Sequence, residues 1–371
     1  MLRRGKVVAV GAMVFSLLFG TTTPAQAFTL PPLFVKLADS PTLASPGIVL
    51  IDPTTNETIY SRDADVERAP ASVLKLFSMT TVLNALSPDL TFKTTISETA
   101  TPGTFILTGS ADPWLTASQF EAQKYQRAFT PTLINKLLEL HPDLKRITLE
   151  YNNVYASDIS ILQHYFWGHL TITPVKVSSV ADATTPIASI ESPPLAKIIE
   201  FTLLYSDNVI ADRLARTAAR AMGFGTDTAG LQVAFEKTLS DIGISSNGLH
   251  IYDGNGLSHD TRVTARQVAD LLLAISKDPK FKVIEDGLPT AGLTGTLKTR
   301  FVNDAPQAVG LVHAKTGWIN TTVSLAGYVT VGPNQYVFAI VANHIHNLES
   351  ARQAARVAID QMLGSIAKPL N

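Results

Sequence analysis

Ser72 stands three residues before Lys75, Ser206-Asp207-Asn208 follows much later, and Lys315-Thr316-Gly317 later still. A serine becomes a nucleophile at neutral pH only beside a base. Lysine can be that base if its ammonium is disfavoured, for example by a positive helix end or a second cation. A spacing of three puts Ser72 and Lys75 on one helix face. A hydroxyl and a carboxamide on a rigid break, as at Ser206 and Asn208, can relay a proton and bond a peptide backbone. Lys315 would bring the second cation, and Gly317 would let another backbone approach its strand closely. Together these groups can perform acyl transfer through a covalent serine intermediate.

Each group also has a plain alternative. Ser365-Ile366-Ala367-Lys368 repeats the first spacing, and such a pair can be solvated on a helix. Ser, Asp and Asn cap helices, and Ser245-Ser246-Asn247 running into Gly248 reads as a turn. Lys-Thr occurs four times, but Gly follows only at Lys315. Order and context separate the working copies from the decoys.

The elements that must position these residues follow from periodicity and punctuation. Gly47 to Asp52 and Glu57 to Ser61 predict a hairpin around Pro53-Thr54-Thr55-Asn56. Pro70 predicts the first position of a helix over Ala71 to Leu86. Two helical stretches between Leu195 and Met222 flank the break at Tyr205 to Asn208. Asp253-Gly254-Asn255-Gly256 is a turn, and Val263 to Ile275 a helix. Leu311 to Gly317, Thr322 to Thr330 and Tyr336 to Ala342 read as strands before a helix over Leu348 to Leu363. Strands at both ends with helices between predict one antiparallel sheet built from both termini. Residues 28–89 and 186–371 would form this unit, with 90–185 inserted as a smaller domain. Residues 28–45 read as a lead-in, and Thr, Ser, Pro and Asp dominate 171–194.

The first 27 residues read as a secretory leader. Arg3, Arg4 and Lys6 precede an apolar run from Val7 to Gly20, and Pro24-Ala25-Gln26-Ala27 offers a cleavage site. That run is shorter than the roughly 20 residues a membrane-spanning helix needs, so no transmembrane anchor is expected after cleavage. Loss of the leader removes three of the 30 basic residues and none of the 31 acidic ones. An acidic balance gives no reason to expect nucleic-acid binding. There is no cysteine, which excludes thiol catalysis, disulfides and cysteine metal sites.

In this order the motifs form the set of serine β-lactamases and penicillin-binding proteins. The chain resembles one family in particular, the D-alanyl-D-alanine carboxypeptidase/endopeptidases (low-molecular-mass class C penicillin-binding proteins). Ala69 to Leu76, Ser192 to Ile199 and Asp253 to Ser258 carry the likeness. So do Leu288 to Gly292, Gly295 to Arg300, Ser324 to Tyr328 and, at the start of the insertion, Gly109 to Pro113. The resemblance implies an α/β (α+β) fold: a penicillin-binding-protein/β-lactamase-like antiparallel sheet flanked by helices, with a reduced inserted domain. It implies Ser72 as nucleophile and Lys75 as its base. Ser206 and Lys315 would pass a proton to the leaving D-alanine. Asn208 would hold the substrate backbone and Thr316 the terminal carboxylate, beside Gly317. The N–H groups of Ser72 and Trp318 would form the oxyanion hole. Peptidoglycan peptides ending in D-Ala-D-Ala are the implied substrates and β-lactams the implied inhibitors, outside the cytoplasm at the cell wall, with no cofactor.

Two departures stand out. Trp318 replaces the hydroxyl residue that often follows Lys-Thr-Gly, removing a contact to the substrate carboxylate. The interval from Lys75 to Ser206 is short for a family that usually carries two inserted domains there. The alternatives are a β-lactamase, which needs a deacylating base that no segment supplies, and a non-catalytic wall-binding relative. His344 and His346 alternate near a strand end without an acid cluster, and His164 and His169 lie among aromatics. Packing or exposure accounts for them better than a metal does, and Asp253 and Arg300 read as structural.

Overall fold

A computed structural model describes residues 28–180 and 185–370. The leader read from the sequence lies outside the described residues. The order of the main elements is α1 (Pro32–Ala38), β1 (Ser45–Asp52), β2 (Glu57–Arg62) and α2 (Leu74–Ala85). Next come β3 (Lys93–Glu98), β4 (Thr104–Gly109), α3 (Pro131–Leu140), β5 (Arg146–Asn152), α4 (Ala156–Tyr165), β6 (Thr171–Lys176) and β7 (Thr185–Glu191). Helices α5 (Leu195–Tyr205), α6 (Asn208–Ala221), α7 (Thr228–Asp241) and α8 (Ala265–Lys277) follow. Strands β8 (Val312–Ile319), β9 (Thr322–Val331) and β10 (Asn334–Asn343) precede α9 (Glu349–Gly364).

The first sheet has the order β8-β9-β10-β1-β2 and is antiparallel throughout. Its central strands are buried on both faces, so they read as near-continuous apolar runs rather than alternating ones. One face packs Val49, Ala326, Tyr328 and Ala339 against α2, α5, α6, α7 and α8. The other packs Leu50, Leu325, Phe338 and Ile340 against α1 and α9. Helix α2 runs through the first core with residues Leu74 to Leu83 all buried. Its polar side chains find partners inside: Ser78 Oγ donates to the Gly254 carbonyl at 2.7 Å and Thr80 Oγ1 to the Leu76 carbonyl at 2.8 Å.

The second sheet has the order β7-β3-β4-β5-β6. Its β7, β3 and β4 pair antiparallel, whereas β4, β5 and β6 are parallel. Leu133, Ile134 and Leu137 of α3 and Ile159 and Leu162 of α4 close its core. The stretch 171–194, polar in composition, holds both edge strands. In β6 only Ile172 is buried, so there is almost no apolar alternation to read. The lead-in holds α1, whose Phe34 meets Tyr60 edge-on at 5.3 Å. Arg213 of α6 donates two bonds to Asp158 of α4, at 2.6 and 3.1 Å, and so ties the second sheet's helices to the first core.

Arg300, read as structural, pairs with the buried Asp360 of α9 through Nη2 at 2.5 Å and Nε at 3.2 Å. Removing one partner of a buried pair leaves the other charge uncompensated, at a cost of about 3–5 kcal/mol. Arg300→Met should lower unfolding free energy by about that amount in urea titration, while the folded fraction keeps its reactivity at Ser72.

Candidate active site

Ser72 sits in a 3₁₀ turn, Ala71–Val73, that precedes α2. The sequence predicts Pro70 in the first helical position and a helix from Ala71. Instead Ala71 has φ +51°, a left-handed conformation that interrupts the helical ladder, and α2 begins at Leu74. Two glycines press on this turn from either side. A Cβ at Gly256 would lie 2.0 Å from the Ala71 carbonyl oxygen, and one at Gly317 would lie 2.7 Å from the Pro70 oxygen. Ser324 of β9 donates to the Pro70 carbonyl at 2.6 Å, and Asn343 of β10 bonds both the N–H and the carbonyl of Ala69. The nucleophile turn is thereby clamped to the sheet. The backbone that approaches Gly317 closely is the protein's own nucleophile turn.

Lys75 is fully buried, and its Nζ lies 2.9 Å from Ser72 Oγ. The same nitrogen is 2.7 Å from Asn208 Oδ1 and 2.7 Å from the Asn255 carbonyl. Those two oxygens can only accept, so they take two amine hydrogens. In the neutral amine the remaining direction, toward Ser72, carries the lone pair. Burial pushes the Lys75 ammonium down to about 7, partly opposed by the negative Asp253 and Asp207. The sequence suggests a positive helix end or a second cation as the cause of this shift; burial is the leading one. Lys315, also fully buried, is driven well below its ordinary range by burial first and by the Lys75 charge second.

The break between α5 and α6 positions the second motif. Ser206 has φ +59°, and Asp207 caps α6 by accepting from the Ile210 N–H at 2.8 Å. The residues on either side of this cap, Ser206 and Asn208, meet the two lysines. Lys315 Nζ donates to Ser206 Oγ at 2.8 Å and to the Thr316 carbonyl at 2.9 Å. On the open edge strand β8, Thr316 Oγ1 lies 2.8 Å from Thr296 Oγ1. The Trp318 ring is partly exposed and lies under Arg356 at 3.2 Å and near Arg352 at 5.4 Å.

The structure therefore gathers Ser72, Lys75 and Asn208 in one hydrogen-bonded group and Ser206, Lys315 and Thr316 in another. The decoys stand apart. Ser365 Oγ bonds back to the Met362 carbonyl at the end of α9, and Ser245 closes a turn on the Asn247 N–H. His344 and His346 are exposed beyond the end of β10, and His164 packs edge-on to Trp167. Sequence reasoning missed three contributors: the Asn255 backbone carbonyl, Ser324 and Thr296. All three lie in segments already singled out, but a backbone acceptor leaves no signal in residue type. The turn is built by Asp253, whose carboxylate accepts from the N–H groups of Asn255, Gly256 and Ser258. A cleft of about 800 Å³ starts at Asn208, Asn255 and Leu257 and runs between α6 and α4.

Residues 33–141 and 167–366 match the model of the D-Ala-D-Ala carboxypeptidase 3 (S13) family. A carboxypeptidase DacB of Mycolicibacterium smegmatis is 25% identical over 97% of this chain and 96% of its own length. A D-alanyl-D-alanine carboxypeptidase of an Actinomadura species is 24% identical over 80% of this chain and 77% of its own. Among solved structures, penicillin binding protein 4 of Haemophilus influenzae superposes with a TM-score of 0.70 at 18% identity, covering 86% of this chain and 95% of that one. That structure shares the sheet-and-helix fold that the resemblance implies. With its fold, its ordered motifs and a family match over most of its length, the chain belongs to the D-Ala-D-Ala carboxypeptidase 3 (S13) family of serine peptidases.

Proposed function

We propose that the protein hydrolyses D-Ala-D-Ala termini of peptidoglycan stem peptides through an acyl-enzyme on Ser72. The single observation that carries this is the Lys75 amine, 2.9 Å from Ser72 Oγ with its other two directions taken by acceptors. The neutral amine removes the hydroxyl proton as Oγ bonds to the carbonyl carbon between the two D-alanines. The Ser72 and Trp318 N–H groups stabilise the oxyanion. When the tetrahedral species collapses, the carbon–nitrogen bond breaks. The departing amine receives a proton along Lys315 and Ser206, which are 2.8 Å apart. Water then attacks the ester carbon and gives its proton to the Ser206–Lys315 pair. The bond from that carbon to Ser72 Oγ breaks, Oγ takes back its proton from Lys75, and the shortened peptide leaves with a new carboxyl end. Because Asn208 uses Oδ1 to accept from Lys75, its amide N–H₂ is left to donate to a substrate carbonyl. Thr316 and Gly317 line the edge strand on which the substrate lies, with Thr316 at its carboxylate. β-Lactams acylate Ser72 as mimics of the substrate; one solved relative, penicillin binding protein 4 of Haemophilus influenzae, is complexed with a β-lactam.

The working unit comprises residues 28–92 and 192–371, and 93–191, from β3 through β7, is its inserted domain, so the far boundary lies a few residues beyond the 185 expected from the sequence. The leader directs the chain outside the cytoplasm to the cell wall. No described helix is long and apolar enough to cross a membrane. Both terminal trimming and cross-link cleavage are open to the same chemistry. A defined pentapeptide muropeptide and its cross-linked dimer, each incubated with the protein and resolved by mass, separate the two. Loss of one alanine from the monomer is the expected result, and no change in either substrate contradicts the proposal.

A further inference from the structure

We infer that Thr296 is a specificity-determining residue that, paired with Thr316, receives the substrate's terminal carboxylate; this rests on the function proposed above. Thr296 Oγ1 and Thr316 Oγ1 lie 2.8 Å apart at the exposed edge of β8. Each hydroxyl has one hydrogen. Within the pair one hydroxyl donates to the other, so the second O–H is left to donate elsewhere. Both hydrogens can rotate outward when a carboxylate arrives, and two donors at this spacing suit its two oxygens.

The pair is built rather than incidental. Thr296 rides on the 3₁₀ turn Gly295–Leu297, and Gly295 has φ +53°. A Cβ at Gly295 would lie 2.4 Å from the Leu204 carbonyl oxygen, so this turn is seated on the end of α5. Leu204 is two residues before Ser206, and Ser206 holds Lys315 at 2.8 Å. One contact chain thus sets Thr296, Ser206 and Lys315 relative to one another. Lys315 Nζ also donates to the Thr316 carbonyl at 2.9 Å, which holds the backbone that carries the Thr316 hydroxyl. Trp318, whose indole is packed under Arg356, offers no hydroxyl further along the strand. Thr296 therefore supplies from a neighbouring loop the second hydroxyl that β8 itself lacks.

The test compares two peptide thioesters that differ only in the leaving group, one ending in a free carboxylate and the other in its methyl ester. Hydrogen bonds to a charged group are strong enough that Thr296→Ala should lower kcat/KM for the carboxylate form by roughly ten- to a hundredfold. The methyl ester should change by less than about twofold, and Thr296→Ser should restore the carboxylate form, because it keeps the hydroxyl. Equal losses on both thioesters would assign Thr296 to holding the loop and overturn the inference. So would no loss on either. A wild-type protein that turns over neither thioester would instead overturn the parent proposal, and this one with it.

Discussion

Lys75→Met is expected to slow acylation of Ser72 by about 10²–10⁴-fold, the usual contribution of a positioned general base. The side chain is fully buried, and methionine fills similar space without a charge to desolvate. Stability should therefore hold or rise while acylation collapses, which separates loss of the base from loss of the fold. The wild-type pH profile should show the same group. The lysine is a base only as the free amine, so acylation should climb as pH rises through about 7 and then level off. Stability moves with it. An unfolded lysine keeps its proton to about 10.4, so between about 7 and that value the unfolded state binds more protons. The sign makes stability from this group rise with pH across that window. The advantage of Lys75→Met should accordingly be largest near and below neutrality and shrink toward pH 10. Stopped-flow acylation with a chromogenic cephalosporin and urea melts across pH check both halves. A flat rate profile through pH 7 would remove Lys75 as the base.

Gly317→Ala is expected to be nearly as damaging, for a steric reason. Its Cβ would lie 2.1 Å from Ser324 Oγ, 2.7 Å from the Pro70 oxygen and 3.2 Å from Ala71 Cβ. None of these is the free end of a long side chain. Strand β8 and the nucleophile turn would have to separate, breaking the 2.6 Å bond from Ser324 to Pro70. That turn carries Ser72, and the next residue on the strand, Trp318, carries the proposed second oxyanion donor. A displacement on the scale of 1 Å costs about 10²-fold in rate, and overpacking costs roughly 1–3 kcal/mol in stability. Ser324→Ala separates the two effects: it removes the clamp but adds no bulk, and should lose less activity. Gly317→Ala protein that acylates at the wild-type rate would show that the turn is not held by this contact.

Much of this arrangement is legible in the sequence. The three strands at the end of the chain and the hairpin at its start gave the antiparallel sheet, because central strands leave long apolar runs. The break at Ser206 was visible because its residue types suit helix ends. The turn at Ala71 was not. Its left-handed backbone sits where Gly256 and Gly317 come close from other parts of the chain, and nothing local announces it. The edge strands β6 and β7 were hidden for another reason: with one face exposed and one neighbour each, they need little apolar sequence. The cause assigned to the lowered Lys75 also differs. Spacing suggests neighbouring charge, whereas burial, which depends on the whole of α2 being enclosed, is the larger effect. The Asn255 carbonyl that completes the Lys75 cage is backbone, and only the fold brings it there.

The claim on which the rest depends is that Ser72 forms the covalent bond. Intact mass spectrometry of the protein after incubation with benzylpenicillin, followed by peptide mapping, reads this directly. The expected result is one adduct of the full mass of the β-lactam on the peptide that contains Ser72, absent from Ser72→Ala protein. An adduct that persists in Ser72→Ala, or maps to Ser206 or Ser365, would contradict it.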